Sequence, residues 1–349
     1  MPPTKRTLET PASANPAVAG HGGPAQLNSK LRQYQSLTET AAMVDRSQVG
    51  RLRVLGHDAR DLLNRLSTNK LDELTPGHGV GTVLTTNKGR VIDLLFITAL
   101  NDYLLVLTSP GRQQRVVDWI DFYNFGEDVE VQDITEETRM LGIVGPEAPA
   151  AVQQALDTNV AEMDRFDSVA SGDRIIVKTD FPGCAAFDIV VDRSLVEDVT
   201  GLFEGRGVGA ADPDVAEFVR VENRIPGPDG ELTEDYNPLE ASLLPYVNFN
   251  KDCYIGQEVV ARLNTYDKVQ RHLVALGWET EELLEAGTAL MADDKKVGTV
   301  TSIASATWTG KRSALAYVRK SHVQPGTRLG ADTGGSQLTV SVKGLADEG

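Results

Sequence analysis

Along most of the chain, apolar residues recur with either a two-residue or a helical period, and the switches between the two mark the elements. Arg51-Leu-Arg-Val-Leu-Gly56 alternates as a strand does, whereas residues 57–66 place Leu62, Leu63 and Leu66 on one helical face with Asp58 near the start. Pro76-Gly77 marks a turn into a strand-like run at 81–86. Asn87-Lys-Gly-Arg90 then closes a hairpin into 91–97. A turn at Asn101-Asp102 leads to a further strand at 103–108, and 113–123 reads as a helix with Val116, Val117 and Ile120 inward. Successive strands followed by a helix describe an antiparallel α+β layer.

From about Val129 the pattern restarts. Strands are expected at 129–134 and 140–145, a helix at 146–156, strands at 174–180 and 185–192 flanking Phe181-Pro-Gly183, and a helix at 195–203. This order is compatible with a ferredoxin-like unit. Residues 214–221 read as a helix or a short extended segment. Between Pro226 and Pro245 the abundance of Pro, Gly, Asp and Glu suits a long ordered loop. After Arg271, short strands at 272–278, 288–292, 296–303, 313–318, 328–332 and 337–342 predict a small all-β barrel or sandwich. The expected organisation is a disordered tail over 1–35, an α+β lobe over 36–128 completed by about 222–268, a ferredoxin-like lobe over 129–221, and a β-barrel over 269–349. The tail assignment rests on residues rich in Pro, Ala, Gly, Ser and Thr, with few large apolar ones.

Composition narrows the function classes. At 349 residues, 41% hydrophobic and 24% charged, the chain is an ordinary globular one too long for a single core. It holds no run of about 18 apolar residues, so nothing is expected to span a membrane. The first residues lack the apolar core of a signal peptide. The two cysteines, Cys184 and Cys253, cannot build a disulfide framework or ligate an iron–sulfur cluster, and the five histidines lack metal-ligand spacing. A reducing cytoplasm and no intrinsic metal are expected. A net charge of −16 argues against broad nucleic-acid binding, although Arg262, Lys268 and Arg271 fall close together.

The stretch from Asn248 to Arg262 concentrates the candidate chemistry. Cys253 lies at the mouth of a helix whose apolar face is supplied by Val259, Val260 and Leu263. A helix entrance favours a thiolate, and Lys251 would push the same way. Asp252 would oppose it, or else cap the helix. Equally, Cys253 could be a small apolar gap filler. Arg262, four residues beyond Glu258, is placed to pair with it on one helix face.

Lys251-Asp-Cys-Tyr-Ile-Gly-Gln-Glu258 resembles the KGCYxGQE signature of the YgfZ-type folate-binding proteins, whose wider family includes the aminomethyltransferase (T-protein) of the glycine cleavage system. Ala41–Ser47, Gly56-His-Asp-Ala59, Leu62–Asn69, Arg220-Val-Glu222 and Asn237-Pro-Leu-Glu-Ala241 match further family segments in order. The resemblance implies a three-lobed α+β aminomethyltransferase-like fold around a central channel, ending in a small β-barrel, and tetrahydrofolate as the cofactor.

Under that resemblance Glu222 grips the pterin ring, and Asp93 faces the reactive N5 region, in Gly89-Arg-Val-Ile-Asp93-Leu94 where relatives carry a second aspartate. Arg262 points toward an anionic part of the folate, Tyr254 offers a stacking wall or a core aromatic, and Cys253 is a reactive or partner-contacting thiol. Arg224 either adds positive charge beside the folate or reaches solvent. The implied function is tetrahydrofolate-dependent support of iron–sulfur cluster assembly or repair, touching tRNA modification indirectly, with iron–sulfur proteins or their assembly factors as partners. The alternative is a folate-dependent aminomethyltransferase or demethylase with Asp93 orienting N5, so the candidate catalytic residues are Cys253 for the first reading and Asp93 for the second.

Overall fold

The computed structural model describes residues 24–306, 308–333 and 337–346. The chain opens with helix α1 (Pro24–Glu39). Two similar units follow. The first runs β1 (Ala42–Asp45), β2 (Val49–Leu55), α2 (Ala59–Leu66), β3 (Gly79–Thr85), β4 (Val91–Ala99), β5 (Leu104–Pro110) and α3 (Gln113–Tyr123). The second runs β6 (Glu130–Asp133), β7 (Thr138–Val144), α4 (Ala148–Leu156), β8 (Ser168–Ser171), β9 (Arg174–Thr179), β10 (Ala186–Asp192) and α5 (Val196–Glu204), and the short strand β11 (Ala210–Ala211) follows it. Helix α6 (Pro213–Glu222), a long loop and α7 (Gln257–Thr265) lead to β12 (Arg271–Gly277), β13 (Ala289–Ala292), β14 (Lys295–Ser305), β15 (Arg312–Arg319), β16 (Arg328–Asp332) and β17 (Gln337–Leu345), which close into a barrel.

The sheets of the two units share one plan, β3-β4-β5-β2-β6 in the first and β8-β9-β10-β7-β1-β11 in the second. In each, a glycine at positive φ starts the first helix, because a side chain there would collide with backbone. A Cβ on Gly56 would lie 1.9 Å from the Asp128 carbonyl oxygen, and one on Gly145 would lie 2.3 Å from that of Thr40. The units exchange one strand each. β1 pairs antiparallel with β7, Met43 opposite Ile143, and β6 pairs with β2, Asp133 opposite Leu52. The expected boundary at residue 129 is therefore corrected: β6 completes the first sheet, and β1, assigned to the first lobe, belongs to the second.

Arg51 occupies the seam where the chain crosses between sheets. It is fully buried. Its guanidinium donates to the Thr138 hydroxyl at 2.7 Å and to the carbonyls of Ser47, Val49, Thr135 and Thr138. Burial lowers its pKa to about 10, which leaves it charged at neutral pH. The carbonyls of both crossovers thus converge on one cation.

Among the described residues, five apolar clusters organise the interior. One lies within each unit, one inside the barrel and one between the two sheets. The remaining cluster joins Leu37 of α1, Val91 and Leu94 of β4, Phe218 and Val221 of α6, and Leu315 and Tyr317 of β15. This central cluster explains the correction to the tail. Leu27, Tyr34 and Leu37 of α1 fall on one face and pack against it, and Lys30 pairs with Asp214 of α6. The polar composition hid a helix that is stabilised by docking. The rest of the expected tail, residues 1–23, lies outside the described residues. Strand β8 was also not anticipated, since Ser-Val-Ala-Ser carries almost no strand signal.

Replacing Arg51 with Met leaves several buried carbonyls without a donor. We expect a loss of about 3 kcal/mol, read as a lowered urea midpoint.

Candidate functional site

Helix α6 places Glu222. Its apolar residues Val215, Phe218, Val219 and Val221 are buried, and Asn223 ends it by donating its backbone N–H to Val219 and Val221. Glu222, the last helical residue, keeps 23% of its side chain exposed. One carboxylate oxygen accepts from the Tyr34 hydroxyl of α1 at 2.8 Å, and the other meets Lys311 Nζ at 2.6 Å. Lys311 also donates to the Tyr34 hydroxyl at 2.6 Å, closing a triangle. The Tyr34 ring meets Phe218 at 5.8 Å and Trp308 at 5.6 Å, and those two lie 4.8 Å apart. Trp308 is buried, and its indole N–H finds no acceptor. Arg224 is partly buried and forms no ion pair with this carboxylate. It donates to the Leu345 carbonyl at 3.1 Å and ties the last barrel strand to α6.

Asp93 is in β4, opposite Leu84 of β3, and is 1% exposed. Its two oxygens accept the backbone N–H groups of Leu94 at 3.0 Å and Ser109 at 2.9 Å. Burial raises its pKa to about 6 against those bonds and the positive charge of Arg112. Leu94, where relatives carry the second aspartate, is part of the central apolar cluster. Arg112 and Arg115, at the start of α3, were missed in the sequence because nothing in their spacing pointed toward Asp93. Both interact electrostatically with it, and they help line a cavity of about 240 Å³ with Val91, Ile92 and Thr233.

The Cys253 stretch corrects several expectations. Gly256, at φ 86°, caps α7, and a Cβ there would lie 2.5 Å from the Thr86 carbonyl oxygen and 3.0 Å from Gly89 Cα. The glycine thus lets the helix start against the β3–β4 hairpin. Cys253 lies three residues before this cap, exposed and without a hydrogen bond, and so outside the first turn. Asp252 does not cap α7.

Lys251 does not serve Cys253. Its buried ammonium donates to the carbonyls of Asn64, Ser67 and Asn69 at 2.6, 2.8 and 2.6 Å, closing the end of α2. Burial lowers its pKa to about 8, opposed by Asp72 and Asp252, so it remains charged at neutral pH. Its Nζ lies 5.4 Å from the centroid of the Tyr254 ring. Tyr254 is buried, which pushes its hydroxyl up to about 12, and that hydroxyl finds no partner.

Of the expected apolar face of α7, only Val260 is buried. Arg262 is exposed and lines a surface groove of about 270 Å³ with Glu258, Val259, Leu263 and Lys268, without forming the expected ion pair to Glu258. Neither Glu222 nor Asp93 lines that groove. The neighbours of Asp93 and Glu222, Leu94 and Val221, share one apolar cluster, and Arg262 lies apart in the surface groove. Among the described residues no cluster of metal-ligand type occurs, and no helix is long and apolar enough to cross a membrane.

Two sheet lobes that exchange a strand each, a closed terminal barrel and an acidic residue ending α6 at their junction define the class of the T-protein fold. Residues 21–251 match the GCVT N-terminal domain and residues 271–345 the glycine cleavage T-protein C-terminal barrel domain. The chain belongs to this family. It is 26% identical to the aminomethyltransferase of Staphylococcus carnosus over 90% of both chains. With that of Thermotoga maritima it shares 27% identity, over 93% of this chain and 90% of the relative. A chloroplastic protein of Arabidopsis thaliana, named provisionally as a transferase, is 28% identical across 80% of this chain and 65% of its own length. The crystal structure of glycine cleavage system aminomethyltransferase T from Bartonella henselae superposes with a TM-score of 0.82 at 20% identity, covering 91% of this chain and 89% of that one.

Because Asp93 has a folded pKa near 6 against an ordinary 3.8, the folded state holds its proton more tightly. Its stabilising contribution is complete below about pH 3.8 and is lost as pH rises through about 6. Relative to Asp93→Asn, wild type should lose up to about 3 kcal/mol between pH 4 and pH 7, measured from urea midpoints. A pH-independent difference would contradict the assignment.

Proposed function

We propose that this protein binds tetrahydrofolate at Glu222 and supports the assembly or repair of iron–sulfur proteins through Cys253, in the manner of the YgfZ-type branch of its family. The reading is supported above all by the contrast between two groups. Asp93 is closed off with both oxygens held by backbone N–H groups, whereas Cys253 is exposed and unbonded. Leu94 in the apolar cluster further removes the acidic pair of the transferases.

The Glu222 site fits the cofactor. A partly exposed carboxylate accepts paired N–H groups from an aminopyrimidine edge, and Phe218 and Trp308 supply an apolar, aromatic surround. Bound tetrahydrofolate would supply the N5 and N10 positions that carry one-carbon units. The chain's own part is to hold the ring through Glu222 and to present the Cys253 thiol to a partner. With two cysteines in all, the cluster belongs to the partner.

An equilibrium titration with tetrahydrofolate should show binding weakened about tenfold or more in Glu222→Ala. In cells lacking the native protein, Cys253→Ala should fail to restore a cluster-dependent enzyme, and full rescue would remove the thiol from the mechanism.

A second reading, a folate-dependent aminomethyltransferase or demethylase, is favoured by Asp93 itself. A carboxyl group titrating near 6 is suited to proton transfer at neutral pH. The relatives named aminomethyltransferases support it as well. It requires turnover of an aminomethyl or N-methyl donor that disappears in Asp93→Asn.

A further inference from the structure

Three segments far apart in sequence meet at Glu222, and two of them contribute residues that no motif marks. Tyr34 comes from α1, and Lys311 from the turn just before β15. Each takes one oxygen of the Glu222 carboxylate, at 2.8 and 2.6 Å, and they bond each other at 2.6 Å. Three mutual contacts fix the rotation of the carboxylate, which two donors acting separately would not. A carboxylate offers about four acceptor positions, two per oxygen. With one used on each oxygen, one on each stays available, and the side chain remains partly exposed. Two parallel N–H donors on a planar heterocycle need that arrangement. The same turn delivers Trp308, whose buried indole N–H is without an acceptor in the aromatic cluster with Tyr34 and Phe218.

We infer that Tyr34 and Lys311 are positioning residues for Glu222, holding its carboxylate so that both oxygens face the N–H edge of the bound pterin. The inference rests on Glu222 as the tetrahydrofolate site. It makes α1 and the barrel parts of that site, and the carboxylate loses its fixed orientation when either contact is removed.

Tetrahydrofolate titrations of Tyr34→Phe, Lys311→Met, Lys311→Arg, Glu222→Gln and the double variant Lys311→Met/Glu222→Gln test it. Tyr34→Phe and Lys311→Met should each weaken binding roughly five- to tenfold with thermal midpoints near that of wild type. Lys311→Arg should retain most of the affinity. In the Glu222→Gln background, Lys311→Met should cost nothing further, because its effect runs through the carboxylate. Additive losses in the double variant would overturn the positioning role. So would wild-type affinity in both single variants alongside lost binding in Glu222→Gln, an outcome that leaves the Glu222 site standing. Absence of binding by the wild-type protein would remove the tetrahydrofolate reading and this inference together.

Discussion

The buried pair of Arg220 and Glu231 sets the relation of helix, loop and barrel. Arg220 forks onto Glu217 at 2.7 and 2.6 Å, donates to the Ile225 carbonyl and to the Ser302 hydroxyl of β14 at 2.9 Å, and lies 3.6 Å from Glu231. Glu231, fully buried, accepts from Gly227 N–H and the Ser302 hydroxyl, each at 2.8 Å, while its carbonyl accepts from Tyr317 of β15. Gly227 has to lack a side chain, since a Cβ would stand 2.9 Å from the Arg220 guanidinium carbon. Burying two charges is costly unless every donor and acceptor is matched. Here the matches come from α6, the 226–245 loop and the barrel at once, so a shift of any one of them breaks the set. Glu222 is two residues beyond Arg220, and its position follows from this lock.

The lock also separates the roles of the two acidic residues at the junction. Glu222 meets donors from α1 and the barrel and retains exposure. Asp93 is held inside the first sheet by the backbone N–H groups of Leu94 and Ser109, with the Ser109 side chain also bonding to it. A carboxylate that keeps acceptor capacity can recognise a ligand. One enclosed by its own sheet acts on a ligand only if the surrounding strands and the α3 arginines let it be reached.

Much of the fold was legible in periodicity. The α3 boundaries, the strands around Asn87–Arg90, the restart of the pattern after Val129 and the run of short barrel strands all follow from local spacing. What was hidden depended on distant partners. The docking of α1 rests on Leu27, Tyr34 and Leu37 meeting an apolar cluster that β4, α6 and β15 help to build, and the exchange of β1 and β6 rests on pairing that no local pattern encodes. The resemblance pointed to Glu222, Asp93 and Cys253, but not to what surrounds them. Lys251 looked like an activator of Cys253 from a spacing of two, yet its ammonium serves three carbonyls at the end of α2. Arg262 had the right spacing to pair with Glu258 and instead faces a surface groove. Tyr34, Lys311, Arg112 and Arg115 carried no signal, because their neighbours lie far off in sequence.

The exchange of strands between the two units has a consequence for how the chain can be divided. Each sheet contains a strand that the other unit carries in sequence, as in a swapped dimer whose two copies have been fused. A cut in the 133–138 crossover would not yield two complete domains. It would leave the first piece carrying β1, a strand that belongs to its partner's sheet, and the second with a gap between β7 and β11. The lobes are reciprocal rather than modular, and insertion or deletion at the crossover acts on both of them.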